Sequence, residues 1–151
     1  MMRNKINTAL KEAVKSKDKH RTSTLRLINA AIKDRDIAAR TNGQEGVSDE
    51  EIVDILAKMI KQRRESVVTY EEAGRLELAQ REQDEITIIS DFLPPQLSEG
   101  QIEEAVRGVV RKVGAEGLRD IGKAMAALKQ QYAGQMDFAK ASKFVKQMLA
   151  G

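Results

Sequence analysis

Apolar residues recur every three or four positions along most of this 151-residue chain, which is the spacing of one face of an α-helix. No stretch of useful length alternates apolar and polar residues with the period of two that a strand requires. No internal repeat is visible. The pattern therefore predicts an all-α fold, with helices over residues 3–16, about 18–40, 49–73, 75–93, 99–113, 121–133 and 138–149.

The two prolines of the chain mark the predicted domain boundary. Pro94 and Pro95 cannot continue the preceding helix, because proline lacks the N–H group and its ring clashes with the previous turn. Ser98 begins a Ser-x-x-Gln sequence, the pattern of a capping box at the start of a helix. We therefore predict a helical N-terminal domain of about four helices over residues 1–95 and a small three-helix tail domain over residues 96–151.

The composition limits the core to aliphatic side chains. Aromatic residues make up 3% of the chain, tryptophan is absent, and charged residues of both signs make up 32%. Strong helix formers are abundant, which agrees with the helical pattern. The core must therefore be built from Leu, Ile, Val, Ala and Met.

The residue types also exclude or disfavour several classes of chemistry. The chain has no cysteine, so disulfides, thiolate catalysis and cysteine zinc sites are excluded. The one histidine, His20, stands between Lys19 and Arg21 in the first turn of a predicted helix, and we expect it to be exposed. Neither a glycine-rich phosphate loop nor a Gly-x-Ser-x-Gly turn is present. We expect no catalytic residues, no cofactor and no metal.

The chain shows no obvious membrane or targeting segment. No apolar run approaches the roughly 18 residues of a membrane span. The N-terminus has an amphipathic pattern and not the apolar core of a signal peptide. We therefore expect a soluble cytoplasmic protein with no membrane partner.

The net charge of +3 conceals an uneven distribution. Residues 1–40 contain 11 Lys/Arg and 4 Asp/Glu, residues 41–95 contain 6 and 13, and residues 96–151 contain 9 and 6. Two basic ends thus flank an acidic middle. Either the basic and acidic helices pair their charged faces, or the basic ends contact a polyanion.

The basic residues of the predicted tail domain are the candidates for a nucleic-acid site. A positive face can contact phosphates and so bind nucleic acid without reading its sequence. We predict phosphate contacts from Arg111, Lys112, Arg119, Lys123, Lys129, Lys140 and Lys143. Gly122 either lets a nucleic-acid backbone approach or allows close helix packing, since glycine has no Cβ. The alternative for the basic residues is an ordinary solvated helix surface.

Short motifs spread along the whole chain point to a known family. They are Lys17-Asp18-Lys19, Thr24-Leu25-Arg26, Ala30-Ala31-Ile32-Lys33, Lys61-Gln62-Arg63-Arg64-Glu65-Ser66, Tyr70-Glu71-Glu72-Ala73-Gly74-Arg75, Phe92-Leu93-Pro94-Pro95-Gln96-Leu97-Ser98, Asp120-Ile121-Gly122-Lys123-Ala124-Met125 and Gly134-Gln135-Met136-Asp137. Together they closely resemble the GatB/YqeY family, and specifically its stand-alone YqeY-like members. Phe92 and Ala126 depart from the common pattern of tyrosine and glycine at those positions.

The resemblance implies an all-α protein similar to the C-terminal helical and tail domains of the B subunit of the tRNA-dependent amidotransferase. That enzyme converts Glu-tRNA(Gln) or Asp-tRNA(Asn) to the amide form, and its tail region helps to hold tRNA. The family label is carbon–nitrogen ligase activity with glutamine as amido-N-donor. This chain has no room for the catalytic domain that performs this chemistry.

Three functions remain open at this point. The first is a non-catalytic accessory module that binds tRNA through the tail domain. The alternative is a protein-interaction module that docks on an amidotransferase or an aminoacyl-tRNA synthetase. The third, participation in amide transfer, requires glutamine- or ATP-dependent turnover by the purified chain, and we expect none.

Overall fold

The computed structural model describes residues 1–150, and over that range it contains seven α-helices, one 3-10 turn and no strand. The helices are α1 (Met2–Lys15), α2 (Lys19–Thr41), α3 (Asp49–Glu72), α4 (Leu76–Ser90), α5 (Glu99–Val113), α6 (Ile121–Gln131) and α7 (Phe138–Ala150). The 3-10 turn, Leu118–Asp120, lies between α5 and α6. The all-α prediction is therefore confirmed. The chain forms two compact units, Met1–Pro94 (unit 1) and the part from Pro95 onward (unit 2).

The core of unit 1 is aliphatic and draws on all four of its helices. Burial of a large aliphatic side chain stabilises a fold by about 2 kcal/mol, so such positions dominate the packing. The bulkiest fully buried apolar side chains of this unit are Ile6 of α1, Leu25 and Ile28 of α2, Ile52 and Leu56 of α3, and Ile89 of α4. These residues occupy the three-to-four spacing that predicted the helices.

Local hydrogen bonds fix where the helices of unit 1 begin and end. Asp18 caps α2 by accepting a hydrogen bond from the Arg21 N–H at 3.1 Å. Ser48 caps α3 by accepting one from the Glu51 N–H at 3.2 Å. Gly74 ends the turn after α3 with φ of +72°, a left-handed conformation that glycine adopts without a steric penalty.

Two details of α4 differ from the sequence prediction. The helix ends at Ser90, and Phe92 and Leu93 pack against the core from the segment that follows it. Leu76 stands three residues before the buried Ala79, at the spacing of the apolar face, yet it is 68% exposed. It is the first residue of α4, and the buried positions of that helix begin only at Ala79.

A polar clamp around Asp36 joins α1, α2 and the loop before α3. The Asp36 carboxylate accepts hydrogen bonds from Arg3 Nη1 at 2.8 Å and from the Val47 N–H at 2.9 Å. Arg3 Nη2 donates to the same carboxylate and, at 3.2 Å, to the Val47 carbonyl. The hydrogen bond from Arg3, followed by that from Val47, lowers the pKa of Asp36 to about 2. Gly46 lies beside the clamp, and a larger residue would crowd it, since a Cβ at this position would lie only 3.0 Å from Asp36 Oδ1.

Unit 2 packs α5, α6 and α7 around its own aliphatic core. Val106, Leu128 and Val145, one from each helix, are fully buried. Ser98 and Gln101 form the predicted capping box, in which the Gln101 N–H donates to Ser98 Oγ at 3.2 Å and the Ser98 N–H donates to Gln101 Oε1 at 2.9 Å.

The start of α5 is held beside the segment that leads into α7. The Leu97 N–H donates to the Gln135 carbonyl at 2.8 Å, and Gln96 Nε2 donates to the Gly134 carbonyl at 2.6 Å. A short connection through the 3-10 turn joins the end of α5 to the start of α6, so these two helix ends lie close together. The hydrogen bonds of Leu97 and Gln96 place the segment before α7 beside the start of α5 instead.

Candidate nucleic-acid interface

All seven basic residues predicted as phosphate contacts are exposed. Lys140 forms an ion pair with Glu99 at 3.3 Å, with both side chains more than half exposed, so the pair contributes little. The other six form no ion pair with any residue in the range 1–150. They are Arg111, Lys112, Arg119, Lys123, Lys129 and Lys143.

The packing of unit 2 divides the seven residues into two groups. Arg111, Lys112, Arg119 and Lys123 lie at the end of unit 2 where α5 stops, the 3-10 turn passes and α6 begins. We call these four the 3-10-turn cluster. Lys129, Lys140 and Lys143 belong to the end of α6 and the first half of α7, toward the opposite end. The seven predicted residues therefore lie on two different segments of unit 2.

Asp120 is the last residue of the 3-10 turn and directly follows Arg119 of the cluster. Its Oδ2 accepts a hydrogen bond from the Glu116 N–H at 2.9 Å, and this bond is the largest cause of a lowered Asp120 pKa. A second backbone hydrogen bond, from Gly117, and the charges of Arg119 and Lys123 lower that pKa further. The carboxylate thus shapes the turn and offsets part of the positive charge of these two neighbours.

Gly122 occupies the first turn of α6 and is exposed. A Cβ added at this position would meet no atom within 4 Å. Close helix packing therefore does not account for the glycine. The position is open to solvent at the start of α6.

The basic and acidic segments of unit 1 hardly pair with each other. Within the described part of the chain, two ion pairs join residues 1–40 to residues 41–94: the Met1 amino group with Asp49 at 3.8 Å, and Arg21 with Asp91 at 3.5 Å. Both are solvent-exposed contacts of the kind that contribute at most about 1 kcal/mol. Most of the positive charge of α1 and α2 is therefore not neutralised by α3 and α4.

His20 is half-buried and not exposed as its position in the sequence suggested. Its Nε2 is enclosed and has no hydrogen-bond partner among residues 1–150. The reason is its place on α2, four residues before the fully buried Thr24, since residues i and i+4 share a helix face. Thr24 Oγ1 donates to the His20 carbonyl at 3.1 Å.

None of the helices of residues 1–150 combines the length and the apolar character needed to cross a membrane. Over the same range, no group of three or more His, Asp or Glu side chains is placed to hold a metal ion.

These features define an all-α protein of two helical units with unpaired exposed cations on both. The chain belongs to the Yqey-like protein family, whose family model matches residues 3–149. This result agrees with the resemblance to the stand-alone YqeY-like proteins.

Several curated relatives carry the name "Altered inheritance of mitochondria protein 41, mitochondrial". The one from Lachancea thermotolerans is 31% identical over 69% of this chain and 55% of its own length. The one from Eremothecium gossypii is 33% identical over 56% of this chain and 44% of its own length. The one from Pyrenophora tritici-repentis is 25% identical over 96% of this chain and 79% of its own length. The chain thus spans about half the length of the first two.

These names contradict the cytoplasmic location predicted from the sequence. The relatives are named as mitochondrial proteins, and this points away from the cytoplasm. The prediction was wrong because it rested only on the absence of a long apolar run and of a signal-peptide pattern. Neither feature distinguishes the cytoplasm from another aqueous compartment.

Proposed function

We propose that this YqeY-family protein is a non-catalytic accessory module that binds tRNA through unit 2, in the manner its likeness to the amidotransferase B subunit implies. The observation that carries the proposal is the 3-10-turn cluster, where Arg111, Lys112, Arg119 and Lys123 are exposed and form no ion pair with residues 1–150. Unpaired exposed cations are suited to phosphate contacts, which supply most of the affinity for nucleic acids.

Shape is the property of RNA that such a surface can recognise. Cations that contact phosphates position a nucleic acid without reading its bases. Tyr132, the tyrosine of unit 2, is half-buried beside the core and offers little stacking surface. The ligand is therefore a folded RNA with closely spaced phosphates, and its affinity has a steep salt dependence.

The test is a filter-binding titration of the full chain against total tRNA from about 50 to 200 mM salt. The double variant Arg119→Glu with Lys123→Glu should weaken binding and reduce the log–log salt slope by about two units, one for each phosphate contact. The matched control, Lys61→Glu with Arg81→Glu, changes the same amount of charge on two exposed cations of unit 1. Equal loss in both double variants, or no saturable binding at low salt, contradicts the proposal.

A protein-interaction module is the second candidate, and one observation favours it. Val68 near the end of α3 and Leu76 at the start of α4 are 53% and 68% exposed, close to the turn of the α3–α4 hairpin. Exposed apolar side chains near a hairpin tip can dock on another protein, such as an amidotransferase or an aminoacyl-tRNA synthetase. Val68→Ser with Leu76→Ser should then abolish capture of the purified partner and leave tRNA binding unchanged.

A further inference from the structure

The side of α2 that points away from the core of unit 1 carries exposed apolar residues. Leu27 is 47% exposed and Ile37 is 58% exposed. Ala30, also exposed, stands three residues after Leu27 and seven before Ile37, so it joins them into one strip along the helix. The buried side of α2, which includes Leu25 and Ile28, faces the rest of unit 1. We call the exposed side the α2 outer face.

A row of cations follows one edge of the α2 outer face. Arg26, Lys33 and Arg40 stand at intervals of seven residues, which is close to two helical turns, so they line up along the helix. All three are exposed, and none forms an ion pair within residues 1–150. The face also carries the exposed carboxylate of Asp34. The α2 outer face is therefore an apolar strip with a net positive edge.

The end of the α3–α4 hairpin has the opposite charge. Residues 65–77 contain one arginine and four exposed carboxylates, which are Glu65, Glu71, Glu72 and Glu77. None of these carboxylates forms an ion pair within residues 1–150. Val68 and Leu76, 53% and 68% exposed, lie among them. The last buried residue of α3 is Ile60 and the first of α4 is Ala79, so this segment, the hairpin end, extends beyond the core.

These two complementary surfaces do not meet within one chain. α2 packs on α3 and α4 through its buried side, so the hairpin lies on the opposite side of α2 from the outer face. The ion pairs that do join residues 1–40 to residues 41–94 involve neither the cation row nor the hairpin end. Both surfaces therefore remain uncompensated, and a second copy of the chain carries the partner for each of them.

We propose that the hairpin end of one copy docks on the α2 outer face of a second copy. The carboxylates of the hairpin end would lie against the cation row, and Val68 and Leu76 would cover Leu27, Ala30 and Ile37. A nucleic acid would also attract the cation row, but it would leave the apolar strip in water and would repel the hairpin end. Charge complementarity together with apolar cover on both sides therefore favours a second copy.

The proposed contact joins two different surfaces, so it is heterologous. Each copy that uses one surface keeps the other free, and association should continue as the concentration rises. The patches are small, and small interfaces give weak complexes, so association should be seen at high concentration and low salt. The proposal does not depend on tRNA binding by unit 2. It also differs from the second candidate function, because it needs no other protein at the hairpin end.

The first test is sedimentation velocity of the full chain from about 20 µM to about 1 mM, at about 50 mM and about 300 mM salt. The weight-average mass should rise with concentration at the lower salt, and it should fall toward that of the monomer at the higher salt. A monomer at every concentration and at both salt levels overturns the proposal.

Two variants identify the surfaces that meet. Lys33→Glu with Ile37→Ser alters the α2 outer face, and Val68→Ser with Leu76→Ser alters the hairpin end. Each variant alone should self-associate at least about tenfold more weakly than the natural chain, because central apolar contacts are lost.

An equimolar mixture of the two variants should form a one-to-one complex, since each keeps the surface that the other has lost. Such a complex also shows that both variants are folded. If either variant alone associates like the natural chain, or if the mixture forms no complex, the proposed contact is wrong.

Leu118→Ser with Arg119→Glu is the matched control, because it makes the same kinds of change at an exposed apolar residue and an exposed cation of unit 2. Self-association of this variant should equal that of the natural chain. Loss of self-association in the control contradicts the assignment of the contact to α2. Arg119 belongs to the 3-10-turn cluster, so the same variant should bind tRNA more weakly, and this keeps the two proposals distinguishable.

Discussion

Asp36→Asn removes the negative charge from the clamp that joins α1, α2 and the loop before α3, and it keeps the shape of the side chain. A pKa lowered from 3.8 to about 2 corresponds to at most about 2.4 kcal/mol of stabilisation at neutral pH, since one unit is about 1.36 kcal/mol. The Arg3 side chain is 40% exposed, so solvent screening reduces this value. We therefore expect Asp36→Asn to lower the free energy of unfolding by about 1.5–2 kcal/mol at pH 7.

The pH dependence of this loss follows from the direction of the Asp36 pKa shift. The folded-state pKa lies below the unfolded value, so the stabilisation is fully present above about pH 5 and is lost as the pH falls through about 2. About half of it remains at pH 3. The difference in unfolding free energy between the natural chain and Asp36→Asn should therefore be about half as large at pH 3 as at pH 7.

The assay is urea unfolding followed by methyl NMR signals of Ile28 and Ile52, which report on the core of unit 1. Asp34→Asn is the matched control, because Asp34 is an exposed carboxylate of the same helix without an ion pair in residues 1–150. It should change the free energy of unfolding by less than about 0.5 kcal/mol. A loss below that value for Asp36→Asn at pH 7, or a loss that is the same at pH 7 and pH 3, refutes the reasoning.

Three further substitutions test other contacts. Gly46→Ala should destabilise unit 1 by about 1 kcal/mol in urea unfolding, because the new Cβ would lie 3.0 Å from the clamped Asp36 carboxylate. Ser98→Ala should cost about 1 kcal/mol and speed amide hydrogen exchange in the first turn of α5, because it removes a helix cap. Arg63→Met should lower stability by about 2 kcal/mol in thermal unfolding, since it leaves Glu85, 16% exposed, without the guanidinium 3.0 Å away.

Matched control variants distinguish these specific effects from a loss of stability that any substitution would cause. Gly108→Ala on α5 should increase stability by about 1 kcal/mol, because the position is helical and a Cβ there meets nothing within 4 Å. If Gly46→Ala increases the free energy of unfolding by the same amount, the close contact with Asp36 does not destabilise the variant. Arg64→Met changes an exposed neighbour of Arg63 that has no ion pair in the described chain, and should be nearly neutral. Equal losses at Arg63 and Arg64 would contradict a role for the Glu85 pair.

The helices could be predicted because their cores and caps depend on local spacing. Ser98 at the start of α5 and Gly74 after α3 are recognisable from a few neighbouring residues. The exposure of Leu76 was not predictable in this way, because it depends on how far the α3–α4 hairpin extends beyond the buried positions. The same holds for Phe92, which packs on the core although α4 has already ended.

The candidate sites were only partly visible in the sequence. Exposure of the basic residues of unit 2 followed from their helix positions, but their separation into two groups depends on how the three helices of the unit pack. The half-burial of His20 was missed, because the sequence position alone did not show which face of α2 packs on the core.

The uneven charge of unit 1 gives it a property that its net charge hides. Residues 1–94 contain 17 Lys/Arg and 17 Asp/Glu, so this part of the chain carries no net charge, yet the excess cations belong to residues 1–40 and the excess anions to residues 41–94. A nearby polyanion would exert little net electrostatic force on unit 1. Its field would instead rotate unit 1 so that α1 and α2 face the polyanion before any contact forms. This rotation acts over about 8 Å at physiological salt and would largely disappear in concentrated salt.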